Sequence, residues 1–421
     1  MDEEKIKLPI HSALIPVFYQ NFHCLAQDCR DSCCVDWSIT FDKKDYLRLR
    51  RLDAPEELKQ RLEQGVRRQR KGKHDGVLYG HFDLNANHGR CPFLDPDGLC
   101  SIQRNCGHEA LPNVCTTYPR KIFYTAAAKE YTLSPSCEGV LQQLWDLPDG
   151  VAFVEDPLPK AEHRTYHAHK GENLSYCFAP LRAMCIDILQ NRSMSLTQRM
   201  LCLGLILQKL QKEDWTDFDP DTWSQQSMAG VDSVAAMAME IPGNREMYLM
   251  QNLSVLNAIS LAARQGDWNM ELYTALGAKR EVTLEAQAEN ATAYNATMTT
   301  TVSRQNYKEA LEGFQAAFSD REYFFENLMV ASALYLGFPS LGSREELWKS
   351  YVSLCSLYSF YRFVSVVGCK EEASKERLFH VLALSSRATL HNRNRFDGFQ
   401  EALFQHESSS LAHMAILLRW D

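Results

Sequence analysis

No run of about 20 consecutive apolar residues, the length that crosses a bilayer, occurs in this 421-residue chain. Leu201–Leu207 is too short, and Val352–Val367 contains Arg362, so no transmembrane segment is expected and any membrane contact would be peripheral. Excess basic charge is missing as well, since the formal net charge is −8. Sequence-independent binding to nucleic acid draws its affinity from phosphates neutralised by Lys and Arg, so nucleic acid is not the expected partner. One local basic patch, Arg67, Arg68, Arg70, Lys71 and Lys73 after Arg48, Arg50 and Arg51, reads first as a solvated face. Its second reading is a dock for an acidic partner or membrane surface. The opening MDEEKIK mixes charges, and the apolar stretch behind it is broken by Pro9, His11 and Pro16. It therefore does not read as a signal peptide, and the expected compartment is the cytoplasm. Finally, no predicted strand runs into the glycine-rich G-x-G turn that cradles nucleotide phosphates.

What the chain has in abundance is cysteine, 14 in all. Cytoplasmic thiols stay reduced, so these read as metal ligands and buried thiols rather than as a disulfide framework. Cys177, Cys185, Cys202, Cys355 and Cys369 are scattered through helical patterns, where a free cysteine behaves as a small hydrophobe. The others are concentrated. FHCLAQDCRDSCCVDW carries Cys24, Cys29, Cys33 and Cys34, and Cys91, Cys100, Cys106, Cys115 and Cys137 follow. Thiolates are soft ligands that select zinc or iron–sulfur clusters, and close spacing lets one loop offer several sulfurs at little closure cost. Asp95-Pro96-Asp97-Gly98 is a strong turn signal, which makes Cys91 and Cys100 the legs of a hairpin. Adjacent Cys33 and Cys34 point apart in most backbone conformations, so one of them is expected to serve a neighbouring site or pack inward.

With 45% hydrophobic and 23% charged residues, the chain is globular and long enough for two cores. The expected fold is mainly α: a small, irregular or β, cysteine-rich domain over 1–149, a linker over 150–171 and an all-helical domain over 172–421. In the first part, helical periodicity is confined to Asp42–Arg70, with Asp42 as cap; Val77–Leu84 and Lys121–Leu133 are candidate strands. Pro148, Pro157 and Pro159 give the linker its composition, and His163, His167 and His169 within it read as solvated. Leu174, Cys177, Leu181, Cys185 and Ile188 recur at helical spacing, and Ser195–Leu210 is strongly apolar. Tyr307, Leu311, Phe314 and Phe318 share a face, as do Leu347, Tyr351, Leu354 and Tyr358. Ser319-x-x-Glu322 and Ser343-x-x-Glu346 are capping-box patterns, Lys375–Leu390 and Leu411–Trp420 close the bundle, and Asn290–Thr301 reads as a loop.

The C-x4-C-x3-C-C run, the CPFLD and GLC pair, C-x-x-Y-P-R at Cys115–Arg120 and SPSC ending at Cys137 resemble the flagellin lysine-N-methylase family, part of a wider group of zinc- or iron-chelating cysteine proteins. The helical remainder ending in His391-Asn392 is similar as well; Cys106 has no place in the pattern. The resemblance implies methylation of flagellin lysines with S-adenosylmethionine as methyl donor. It also implies a 4Fe–4S cluster held among Cys24, Cys29, Cys33, Cys34, Cys91, Cys100, Cys115 and Cys137, with zinc as the alternative metal. Self-association into a homo-oligomer and proximity to a membrane are further implications. The radical-enzyme spacing C-x3-C-x2-C is met by Cys29 and Cys33 but ends on Asp36, so any S-adenosylmethionine site here is of an unfamiliar kind.

Methylating a lysine requires a neutral amine, whereas free lysine has a pKa of about 10.4, so the site must desolvate the amine or supply a base. Tyr118, Asp36, Glu109 and Glu138 are the catalytic candidates, and Arg120 is the candidate cofactor contact. Arg30, Arg90 and Arg120 lie near the thiols in sequence and read equally as cations that tune the sulfurs from outside or as arginines facing solvent. A non-enzymatic metal-binding scaffold and an electron-transfer module are the readings of other classes.

Overall fold

The computed structural model describes residues 4–35, 39–69, 78–87, 89–124, 128–168, 174–262, 268–286, 294–391, 398, 400–401, 403–404 and 408–419. Its first strand, Glu4–Pro16, lies inside a mixed four-stranded sheet ordered Arg120–Tyr124, Ala128–Leu133, Glu4–Pro16, Phe153–Ala168. Ser12–Leu14 run parallel to Ala128–Glu130, and the other neighbours are antiparallel. The linker expectation for 150–171 is thereby corrected, because Phe153–Ala168 is a strand at the sheet edge. Its prolines misled: an edge strand tolerates residues without an N–H, and Pro157 stands opposite Ser12 beside a register shift between Ile10 and Ser12. His163 and His167 fall in this strand, opposite Pro9 and Lys5; His169 lies outside the described residues.

Between these strands sits a small unit with its own apolar cluster of Ile39, Phe41, Leu49, Leu58, Leu62, Phe82, Phe93 and Ile102. A sheet of Thr40–Phe41, Gly80–Phe82 and Val66–Arg68 covers it. Asp42 caps Lys43–Arg50 by accepting from the Asp45 amide at 2.8 Å. The helix expected to reach Arg70 ends at Arg50 and resumes after Pro55 as Glu56–Gly65. The strand expected over Val77–Leu84 shortens to Gly80–Phe82.

The remaining chain is mainly helical, as expected, apart from one hairpin described below, and its core takes in Phe18, Phe22, Leu133, Val140, Leu141 and Leu144 from the amino-terminal third. Leu174, Cys177, Leu181, Cys185 and Ile188 are all buried, as are the Tyr307 and Leu347 faces. Leu196–Lys212 opens on a complete capping box of Ser195 and Gln198. Ser343 caps Arg344–Gly368, while the Glu346 carboxylate turns to Ser340 at 3.2 Å. The box expected at Ser319–Glu322 does not form. Arg321 is the cap residue, and Glu322 instead accepts from the Leu196 amide at 2.9 Å, placing its charge at the positive end of a neighbouring helix. The loop expected over Asn290–Thr301 is also corrected. Tyr294–Thr301 pairs with Lys279–Ala286 as a hairpin, consistent with the β-preference of its threonines; residues 290–293 are outside the described set. Among the described residues no helix is long and apolar enough to cross a membrane.

Helices Leu196–Lys212 and Arg344–Gly368 meet at Gly204. A Cβ there would stand 2.6 Å from Leu411 Cδ1 and overlap the ring of buried Tyr351, whose hydroxyl donates to the Met200 carbonyl at 3.1 Å. Gly204→Ala should cost about 1–3 kcal/mol through overpacking; an unchanged denaturation midpoint would show that these helices can separate freely.

Candidate metal centre and its helical wall

The turn predicted at 95–98 forms. Gly98 adopts φ +83°, its amide donates to the Asp95 carbonyl at 3.0 Å, and Leu94 bridges to Cys100. The Cys91 amide donates to the Cys34 carbonyl at 2.7 Å, and Val35 bridges to Arg90, so the hairpin is tied by backbone to the first cysteine run. Cys91 is buried in the small core, against which Cys34, Cys100 and Cys115 pack; Cys137 packs against the large one. The cysteines therefore lie between the two cores.

Their mutual electrostatics define the neighbourhood. Cys33 and Cys34 are hydrogen-bonded to each other, and Cys34 is also bonded to Cys91. The Cys34 thiol is lowered by its bond to Cys33 but pushed up to about 12 by its bond to Cys91, by burial and by the proximity of Cys91 and Cys100. Cys115 is raised well above the ordinary thiol value by burial, then by Cys34, Cys33 and Cys100. Cys137 is pushed up to about 12 by burial, with Cys33 and Cys24 adding to it. Burial, Glu138, Cys137 and Cys33 together raise Cys29. Cys100 and Cys137 each occupy the cap of a short helix. Burial raises the Cys100 thiol as well; the amides of Gln103 and Ile102 at Cys100, and those of Val140 and Gly139 at Cys137, offset part of the rise, as helix termini do for thiolates. All eight expected cysteines thus share one neighbourhood, with adjacent Cys33 and Cys34 joining a Cys24–Cys29–Cys137 side to a Cys91–Cys100–Cys115 side. Cys106 stands apart, its thiol reaching the Asp53 carbonyl at 3.7 Å.

Among the described residues no three His, Cys, Asp or Glu side chains already form a metal-ligating group, so the sulfurs are gathered without being a closed cage. Their chemistry nevertheless suits a soft centre of net negative charge, because amide dipoles and one buried cation face them. That cation is Arg387. Its Nη2 donates to the Asp31 carbonyl and its Nε to the Ser136 carbonyl at 3.3 Å, and its charge acts on Cys33. Of the arginines nominated from sequence, Arg90 bridges to Val35 through its backbone. Arg120 lies over the Phe22 ring at 5.1 Å and bonds Tyr19; Arg30 gives its amide to Glu138.

Arg387 belongs to helix Lys375–Leu390, which walls the cysteine loop with a polar stripe. His380, Arg387 and His391 recur seven and four residues apart, the spacing of one helix face. His380 Nδ1 meets Asp31 Oδ1 at 2.6 Å. His391 Nε2 meets Ser136 Oγ at 2.7 Å, and Ser136 also bonds Ser134 at 2.7 Å and the Tyr118 hydroxyl at 2.9 Å. Burial raises the buried Tyr118 phenol well above its ordinary value, with Cys137 adding to the rise. Glu138 Oε2 accepts from the amides of Arg30 at 2.7 Å and Asp31 at 3.0 Å, with the Cys29 thiol at 3.5 Å. That makes Glu138 a clamp on the cysteine loop, and its nomination as a base is set aside on these contacts. Glu109 is exposed on a short turn, where its carbonyl accepts from Arg48 at 2.6 Å. Asp36 lies outside the described residues. Sequence reasoning missed Asp31, Ser136, His380 and Arg387. Asp31 and Ser136 were adjacent to the cysteines, and an arginine inside the apolar helix 375–390 was itself a signal, since arginine is seldom buried unpaired.

Fold and site together define a protein with a cysteine-rich amino-terminal segment walled by a helical region. Residues 23–138 match the CxxCxxCC family, a candidate zinc- or iron-chelating domain. Residues 182–417, more than half of the chain, match the FliB lysine N-methylase C-terminal domain, and the chain belongs to that family. A lysine-N-methylase of Salmonella choleraesuis is 30% identical over 150 residues, and one of Salmonella typhimurium is 30% identical over 146. Each alignment covers 34% of this chain and spans 35% of the relative's length. The flagellar biosynthetic protein FliU of Salmonella muenchen is 29% identical over 168 residues, which is 39% of this chain and 95% of that protein. No solved structure matches.

Proposed function

We propose that this protein is a lysine N-methyltransferase acting on flagellin, with S-adenosylmethionine as donor and a 4Fe–4S cluster held among Cys24, Cys29, Cys33, Cys34, Cys91, Cys100, Cys115 and Cys137. The reading is carried by one observation: the sulfurs gathered from residues 24–137 are walled by a helix from the segment that matches the lysine N-methylase family. A cluster bound there supplies redox capacity and a fold-organising charge. This chain's own residues do the rest. Glu138 fixes the turn at Cys29 through two amides, the amides at the caps of Cys100 and Cys137 offset part of the rise that burial imposes on their thiols, and Arg387 sets positive charge against Cys33. Tyr118, Ser136 and His391 form a hydrogen-bonded line from the sulfurs to the end of the wall helix. Zinc is the alternative metal, because thiolates suit it equally.

The test is direct. Protein purified without oxygen should carry iron and sulfide in equal amounts, and incubation with methyl-labelled S-adenosylmethionine and flagellin should put label on lysine. Iron-loaded protein that transfers no label would favour a metal-binding scaffold instead, and zinc without sulfide would replace the cluster.

A further inference from the structure

Asp31 and His380 come from opposite ends of the chain and meet beside the cysteine loop. Asp31 is buried, its amide held by Glu138 and its carbonyl by Arg387, so its carboxylate is fixed in direction by its own backbone. It bonds Nδ1 of His380 at 2.6 Å, and the His380 side chain remains 38% exposed. Among the described residues Asp31 is the only hydrogen-bonding or ion-pair partner of His380, so Nε2 is left to meet solvent or a bound molecule. An imidazole held through Nδ1 by a fixed carboxylate carries its proton on that nitrogen and offers the lone pair of the other. On the same face of the wall helix Glu376, one turn before His380, is exposed, and Arg387 is turned to the Asp31 and Ser136 carbonyls.

We infer that His380, oriented by Asp31, is the proton acceptor for the substrate amine, an inference resting on the lysine-methylation reading above. An N–H bond of the substrate ammonium breaks, its proton passes to Nε2 of His380, and the electron pair stays on nitrogen. The amine is then neutral and nucleophilic, the form that N-methylation requires. Asp31 stabilises the imidazolium that results. None of the carboxylates expected from sequence is needed for this role, and the arrangement puts the reacting amine at the seam between the cysteine segment and the helical segment.

The experiment measures label transfer to flagellin lysines by His380→Ala and His380→Gln proteins from pH 7 to 10, alongside metal content and thermal midpoint. Both variants should hold as much metal as the unaltered protein; His380→Gln, whose amide can still donate to Asp31, should melt with it, whereas His380→Ala leaves the buried Asp31 carboxylate without that donor and should melt lower. At pH 7 each should lose about 100-fold or more in kcat/KM, the usual worth of a positioned base. The loss should shrink towards pH 10, where bulk water deprotonates lysine unaided, and added imidazole should restore part of the His380→Ala rate. A loss that is the same at every pH and unrelieved by imidazole would make His380 a structural residue and overturn the inference. So would variants active within twofold of the unaltered protein. If the unaltered, metal-loaded protein moves no label at any pH, the lysine-methylation reading itself fails and the inference falls with it.

Discussion

Replacing Arg387 by methionine should weaken metal retention by about 10–100-fold, the range typical for residues that support metal ligands from outside. Methionine fills similar volume but leaves the Asp31 and Ser136 carbonyls without their donor, at about 1–3 kcal/mol for each buried group left unpaired. It also removes the cation that acts on Cys33. Lysine should recover the charge but only part of the effect, because one ammonium cannot span two carbonyls as a planar guanidinium does. Competition against a chelator gives the affinity, and the thermal midpoint separates it from unfolding. Retention unchanged in Arg387→Met would mean that the wall helix does not support the sulfurs.

Glu326→Leu should be the most destabilising single change in the helical region, costing about 3–5 kcal/mol. Glu326 is 1% exposed and accepts from Arg199 at 2.6 Å and from Arg192 at 2.9–3.2 Å. Leucine would leave Arg199, itself buried, as a charge without its carboxylate, although its bonds to the Met194 and Leu189 carbonyls would persist. The strap from Arg192 to the Pro148 carbonyl would lose its second anchor. Denaturant unfolding followed by far-UV circular dichroism measures the cost. A loss below about 0.5 kcal/mol would mean that the pair offsets only its own desolvation.

The cysteine half of the site was legible because ligand chemistry concentrates in sequence: four thiols in Cys24–Cys34 have no common structural explanation, and the 95–98 turn carries its own dihedral requirements. Helices with a single apolar face were equally plain at Leu174–Ile188 and Tyr307–Phe318. What failed was long-range. Strand Phe153–Ala168 looked like a linker because its partner, Glu4–Pro16, lies far away in sequence and its prolines are harmless only at an edge. Glu322 looked like half of a local capping box, yet it caps a helix that begins at Leu196. His380 and Arg387 passed for ordinary members of a helix because nothing local to 375–390 announces that Asp31 and Ser136 face them. Local chemistry can be read from spacing, whereas a wall brought across most of the chain can be read only from the packing.

That separation also sets an order of events at the ribosome. About 240 residues separate Cys137 from His380, and all of them are still to be made when Cys137 emerges. At ordinary synthesis rates the interval is on the order of 10–50 s. During it the thiols stand uncovered by the helix that later faces them, and that helix then arrives as a late seal over the cysteine segment.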